Sequence, residues 1–272
     1  MKKFIYMALS AVALLTASCS QDEDLTAEGA SRVTITVNSP ELSTRSDGSV
    51  ATQLQYLLYD IQADGSKVPC GEPVETTISS FPFTLENLDV VTGHNYEILL
   101  WASAAESPYT VNWTNGTLTV DYNKAKANSD ALDAFYAYEA FSVEGSVNLD
   151  VTMKRPFAMI NIGATTAPGA GMTSSMMVQG VPTSLNLFTG ELSEETATAT
   201  FGYAAVPTGM TFPVEGYNYL SYAYVLAPKT AKQTTVTVAY KPSDGDAVET
   251  SLEEIPLQAN FKTNVSGVTI NN

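Results

Sequence analysis

The stretch Ser146-Val147-Asn148-Leu149-Asp150-Val151-Thr152-Met153-Lys154-Arg155-Pro156-Phe157-Ala158-Met159-Ile160-Asn161-Ile162 decides how the chain is organised. Val147, Leu149, Val151 and Met153 alternate with other residues, the period of two that marks a half-buried β-strand. A new strand then resumes over Phe157 to Ile162. Pro156 stands between the two and has no N–H for a ladder hydrogen bond, so it marks a break or a crossing between sheets. The chain therefore reads as two series of strands that meet near residue 150.

The same period runs upstream and downstream of this point. Val33, Ile35 and Val37 alternate with threonines; Leu54, Tyr56 and Leu58, then Phe81, Phe83 and Leu85, then Tyr96, Ile98 and Leu100 repeat it. Asp47-Gly48, Asp64-Gly65, Thr92-Gly93 and Asn115-Gly116 supply turns between them, and the last predicts a hairpin joining Val111-Asn112-Trp113 to Leu118-Thr119-Val120. Downstream, strands are predicted over 184–188, 219–225, 234–240 and 251–257. Only 128–140 has a spacing that tolerates one or two helical turns, and the same residues could line a loop covering a sandwich. Strands without intervening helices exclude a parallel α/β architecture and predict an all-β fold of antiparallel sandwiches, one over 32–150 and one over 151–272.

The 272 residues include 13 Lys+Arg and 29 Asp+Glu, a formal net charge of −16. With 44% hydrophobic and 15% charged residues there is enough apolar surface for a folded core. The acidity argues against nucleic acid as a partner, since phosphate binding needs clustered Lys and Arg. A single histidine, His94, argues against most metal-hydrolase and Ser-His or Cys-His chemistry. No GxSxG, HExxH, paired CxxC, P-loop or GxGxxG arrangement occurs, so no catalytic residue, metal ligand or cofactor is assigned. Asp121-Tyr122-Asn123 begins a calcium-loop pattern that Lys124 to Ala127 end, and Asp244-Gly245-Asp246 reads as a hairpin tip. Trp101 ends an apolar strand and reads as core. Trp113, beside the Asn115-Gly116 turn, is the candidate platform for stacking on a glycan.

Residues 1–18 carry Lys2 and Lys3, an apolar run from Phe4 to Leu15, and small residues directly before Cys19. The apolar run is too short for a bilayer of about 30 Å, so it reads as a secretory signal. Its end resembles a bacterial lipobox, with Leu15 one position further from the cysteine than the usual pattern. Lipid attachment, palmitate included, is expected at Cys19. Residues 19–31 form an acidic tether beginning Ser20-Gln21-Asp22-Glu23-Asp24, which resembles the signal that exports lipoproteins of Bacteroidota to the outer face of the outer membrane. Loss of Lys2 and Lys3 leaves 11 basic against 29 acidic residues, a net charge of −18. Cys70 is then the only remaining thiol, in a Pro-Cys-Gly-Glu-Pro loop, and no intramolecular disulfide can form.

Several segments, in order, resemble the fimbrillin superfamily, the subunits of type V pili in Bacteroidota. They include Leu42-Ser43-Thr44-Arg45-Ser46, Tyr56-Leu57-Leu58-Tyr59-Asp60, Tyr96-Glu97-Ile98-Leu99-Leu100-Trp101-Ala102, Asp133-Ala134-Phe135-Tyr136, Met153 to Ile162, Leu185 to Glu191, Tyr222 to Pro228 and Ile255 to Asn264. The resemblance implies two transthyretin-like β-sandwich domains and assembly by strand exchange. An Arg-specific protease releases the first strand of such a pilin, and a neighbour's strand enters the groove. Carried onto this chain, the displaced strand is Val33, Ile35 and Val37, and the processing candidate is Arg45, which reads equally well as an ordinary exposed loop arginine. Arg155 should be buried.

Family stalk subunits continue into a further donor strand, whereas this sequence stops soon after Gly267, at Val268-Thr269-Ile270-Asn271-Asn272. An accessory tip or anchor subunit is therefore expected, acting in cell adhesion without catalysis. Its partners are other pilus subunits and the outer-membrane lipid anchor, with host or bacterial surface glycans or proteins beyond them. The competing reading is a glycan-binding surface lipoprotein of a polysaccharide-uptake system, and a carboxylate-dependent glycosidase comes third.

Overall fold

The computed structural model describes residues 30–39 and 50–271. Its first ten strands are β1 (Ala30–Asn38), β2 (Gln53–Ile61), β3 (Lys67–Pro69), β4 (Val74–Thr77), β5 (Phe83–Val91), β6 (Asn95–Ser103), β7 (Tyr109–Asn112), β8 (Thr117–Val120), β9 (Phe135–Ser142) and β10 (Val147–Thr152). Nine more follow: β11 (Phe157–Ala164), β12 (Thr173–Pro182), β13 (Ser184–Asn186), β14 (Glu191–Leu192), β15 (Thr196–Ala205), β16 (Asn218–Leu226), β17 (Lys232–Lys241), β18 (Val248–Leu257) and β19 (Lys262–Val268). The fold is an all-β sandwich architecture, as the alternation predicts.

The pairing of the first series recurs in the second. The sheet β10-β1-β5 faces a sheet in which β2, flanked by β3 and β4, continues to β6 and β9; later, β16-β11-β19 faces β15-β12-β17-β18. In each series the opening strand lies in the middle of its sheet. It pairs antiparallel on one side, β1 with β5 and β11 with β16, and parallel on the other, β1 with β10 and β11 with β19. Pro156 sits where the expected crossing falls, between β10 in one sheet and β11 in another. Residue 150, the expected boundary, lies inside β10, because Val151 is buried against β1 and its neighbours. The connection is Met153–Pro156.

Two apolar clusters hold the layers together. One lies between the sheets of the first series. The other fills the second series and continues under the opposite face of β2, β6 and β9, taking in Leu57, Tyr59, Leu99, Trp101 and Tyr136. The central sheet is thus buried on both sides, which explains the unbroken apolar run Ile98 to Ala102 in β6. The β7–β8 hairpin carries the expected Asn115-Gly116 turn, with Gly116 at φ +68, and β8 pairs with β13 of the second series. A Cβ on Gly116 would lie 2.7 Å from the ring of Phe188, so this close approach also demands glycine.

The helix tolerated over 128–140 does not form. Short 3-10 turns occupy Tyr122–Lys124 and Asp130–Leu132, and β9 takes the rest. Asn128 lies between the turns at φ +60, where its amide donates to Ser174 and to the Ala205 carbonyl while its Oδ1 accepts from the Tyr222 N–H. These bonds tie the segment to the second series in place of a helical turn.

Arg155 is buried, as expected, in the connection between β10 and β11. Its Nε and a terminal nitrogen donate to the two carboxylate oxygens of Asp133 at 2.7 and 2.6 Å, both side chains being almost fully out of water. The guanidinium lies over the Phe135 ring. Tyrosines close the seam nearby: Tyr109 donates to the Leu132 carbonyl, Tyr59 donates to the Trp113 carbonyl, and Tyr122 accepts from the Leu226 N–H. Burial pushes the hydroxyl of Tyr59 up to about 12, and it raises those of Tyr109, Tyr122 and Tyr224 as well.

Two outcomes follow for this seam. Asp133→Ala leaves the Arg155 charge buried without its partner and is expected to cost about 3–5 kcal/mol in chemical denaturation; a loss below about 1 kcal/mol would show that the pair is not structural. The folded state holds the tyrosine protons more tightly than the unfolded chain, so stability is full below pH 10 and falls as pH rises from 10 through 12. The part of the tyrosinate absorbance that a Tyr59→Phe variant lacks should then rise together with loss of near-ultraviolet circular dichroism, and its appearance in the intact fold would contradict the assignment.

Candidate functional site

The seat of β1 is the feature that can do work. Val33, Ile35 and Val37 are fully buried and point into the first cluster, where Leu54, Leu85, Ile98 and Val151 meet them. The other face carries exposed Arg32 and half-exposed Thr34, Thr36 and Asn38. The alternation of Val/Ile with Thr produces this directly: every second side chain leaves water while the others stay solvated. Along one edge Val33 to Asn38 run parallel to Val147 to Thr152. Along the other, Ala30 to Val37 run antiparallel to β5. A bulge falls between Val33 and Ile35, where Asn87 of β5 adopts φ +57, and it keeps Leu85 and Leu88 on the core side.

Among the described residues no ladder joins β5 to β10 except through β1. Withdrawing β1 would leave a slot with two unpaired backbone edges and three apolar pockets. Burial of each aliphatic side chain contributes about 1.5–3 kcal/mol, so the three together supply about 5–9 kcal/mol. A whole domain is stable by only about 5–15 kcal/mol. An empty seat would therefore cost a large share of the fold's stability and leave two sheet edges unpaired.

The other opening strand differs. All eight residues of β11 are buried, so it has no solvated face and is enclosed on both sides. At the C-terminal end Val268 and Ile270 are buried and the Asn271 N–H donates to the Tyr240 hydroxyl, so this end of the chain is tied into its own fold.

The remaining sequence candidates separate widely. Cys19 and Arg45 lie outside the described residues. Trp101 is buried against Tyr109, while Trp113 is half-buried and packs on the larger cluster. His94 is partly exposed, with Nδ1 3.0 Å from Asp60 Oδ2. Asp121 caps the backbone of Asn123 and pairs with Lys124, and Cys70 is an exposed thiol. Among the described residues no three His, Cys, Asp or Glu side chains gather to hold a metal, and no helix is long and apolar enough to cross a membrane.

Sequence reasoning missed two clefts. One of about 670 Å³ lies beside the bulges of β12 and β18, rimmed by Glu194, Glu253 and Glu254 with Lys232. The second, about 360 Å³, lies between Tyr136, the Met153–Pro156 connection and the turn before β19. Phe261 stands exposed at its edge. The signal available was Asn260-Phe261-Lys262, an aromatic placed in a turn and not in the alternation of a strand.

These features define an all-β sandwich protein whose opening strand bridges two others that do not otherwise pair. The chain belongs to the DUF6562 family, a family of unknown function, whose model matches residues 24–270. No curated protein matches it. Among solved structures it is similar to a candidate polysaccharide-binding protein of the DUF1812 group from Bacteroides thetaiotaomicron, with a TM-score of 0.54, 12% identity, and 80% of this chain and 78% of that chain covered. A candidate adhesin from the same organism has a TM-score of 0.51 and 12% identity over 81% of this chain and 80% of that chain. A candidate cell adhesion protein from Bacteroides ovatus has a TM-score of 0.50 and 12% identity over 87% and 92%. At such identity the likeness is one of fold.

Truncating Ile35 to Ala should destabilise the protein by about 2–5 kcal/mol in urea titration, whereas Thr36→Ala should stay within about 0.5 kcal/mol. Equal effects would mean that the two faces of β1 are not distinguished by burial.

Proposed function

We propose that the protein is a fimbrillin-like surface subunit, a non-catalytic component of an adhesive pilus that accepts a strand from a neighbouring subunit at the β1 seat. The observation that carries this reading is the position of β1: central in its sheet, buried on one face only, and, among the described residues, the strand through which the ladders of β5 and β10 connect. A strand of alternating apolar residues from another copy would restore the same backbone bonds and fill the same pockets. The descriptions of the similar structures as candidate adhesins and cell adhesion proteins point the same way.

The protein is held by lipid on Cys19 at the outer face of the outer membrane, and its first strand is released by cleavage at Arg45. Of the three arginines, Arg155 is too deeply buried for a protease, and a cut at Arg32 leaves most of β1 in place. The tying of Val268 to Asn271 into their own fold favours an accessory subunit, at the tip or the anchor, over a stalk subunit that donates its end.

The test uses mature protein, an Arg-specific protease and a labelled peptide with the sequence of residues 30–38. After cleavage the peptide should enter the protein and remain bound through gel filtration, while its Ile35→Asp version should not. Arg45→Lys protein should neither be cut between β1 and β2 nor take up the peptide. Cleavage after Arg45 with no uptake of peptide would refute exchange at this seat.

A further inference from the structure

We propose that the 360 Å³ cleft beside the β10–β11 connection binds a carboxylate-bearing saccharide of the uronic acid type, one or two sugar rings in size. The inference does not depend on strand exchange. It starts from charge. In a chain with 13 basic and 29 acidic residues, two exposed lysines, Lys154 and Lys229, line the same cleft, and neither forms an ion pair among the described residues. Two cations lining one cleft give it a positive field that favours an anionic ligand.

The cleft is also shaped around polar groups. Gly190 forms part of its wall at φ +71, and a Cβ there would lie 3.2 Å from the Tyr136 hydroxyl and 3.3 Å from Lys229 Nζ. The ammonium and the hydroxyl therefore converge on the space that the missing side chain leaves open. The Tyr136 ring is buried in the wall of the cleft. Burial raises the pKa of its hydroxyl, which keeps the proton on and the group a donor. An ammonium and a neutral hydroxyl aimed at one point match the two oxygens of a carboxylate, or a carboxylate and an adjacent ring hydroxyl.

Phe261 supplies the part that a bare anion would not need. It is 49% exposed, among the most exposed aromatic side chains described, and lines this cleft. Its backbone is fixed, the carbonyl accepting from the Met159 N–H at 3.0 Å and the preceding Asn260 N–H donating to Phe157. An aromatic ring held out on a rigid turn offers a flat surface to the C–H face of a pyranose. Gln258 donates from its side-chain amide to the Lys229 carbonyl, which orders the loop carrying that cation. The volume lies at the small end of ligand pockets. The larger cleft has the opposite character, with three glutamates, one lysine and no aromatic in its lining.

Isothermal titration of the mature full-length protein with galacturonic acid oligosaccharides tests this, with dextran oligosaccharides as the neutral probe and dextran sulfate oligosaccharides as the sulfated one. The expected result is binding of the uronate that weakens with salt, and no binding of dextran. Lys154→Gln with Lys229→Gln should lower affinity at least tenfold, and Phe261→Ala should lower it by about tenfold. Lys232→Gln and Trp113→Ala should leave it unchanged. Circular dichroism of each variant separates loss of binding from loss of fold. Absence of uronate binding, equal binding of dextran, preference for dextran sulfate, or indifference to the Lys154 and Phe261 substitutions would each overturn the proposal. So would binding that appears only on phosphatidylglycerol vesicles, which would make the lysines a membrane contact.

Discussion

The sheet formed by β2, β6 and β9 turns one face to β1 and its neighbours and the other to the second strand series, so Ile98 to Ala102 are out of water whichever way they point. Most of the architecture follows from that double burial. A sheet covered on both sides cannot lose either cover without exposing a full apolar face, and the two series are therefore bound together more firmly than beads on a linker. The β7–β8 hairpin, inserted between β6 and β9, crosses to pair with β13. The Arg155–Asp133 pair fixes the point where the chain passes from one series to the other. Lys67 adds a clamp at the seam: it pairs with Glu97 at 2.6 Å and lies over the rings of Tyr138 and Phe188.

Strands that keep one wet face were legible in the sequence, because alternation survives only there. Val33-Thr-Ile-Thr-Val37 and Val147-Asn-Leu-Asp-Val151 are the clearest, and Pro156 between the series was legible for the same reason that it is useful: it cannot pair. Where the chain was hard to read, a specific physical cause can be named. β12 carries Met176 and Val178 in period, but a bulge at Gly180 shifts the next inward residue to Val181. β15 is built from Thr and Ala, whose small side chains leave little contrast between faces. Residues 128–140 had helical spacing, yet Asn128 spends its amide on partners from β12, β15 and β16 that no local pattern could show.

The candidate sites divide along the same line. The alternation of Val33, Ile35 and Val37 marked β1 as a strand with one buried face, while its reading as a seat came from the family resemblance. The cleft at the connection was not legible, because its lysines, tyrosine and phenylalanine come from four places in the chain and only the crossing at Pro156 brings them together. Trp113 drew attention by its type and its turn, but a tryptophan beside a turn can still fold back onto the core, and this one does. Phe261 sits in a turn whose backbone bonds leave its ring outside.

The two opening strands share one topology and differ in how far the fold encloses them. β1 and β11 have the same neighbours in kind, one antiparallel and one parallel, so backbone hydrogen bonding does not separate them. What separates them is the second face. Removing β11 would expose eight buried residues, and Asn161, which bonds Asn264 across the ladder, would lose its partner. Removing β1 exposes three side chains and two edges, a loss that a single incoming strand can make good. Threonines at alternate positions of β1 leave its outer face half-exposed, so the core holds this strand by three side chains where it holds β11 by eight.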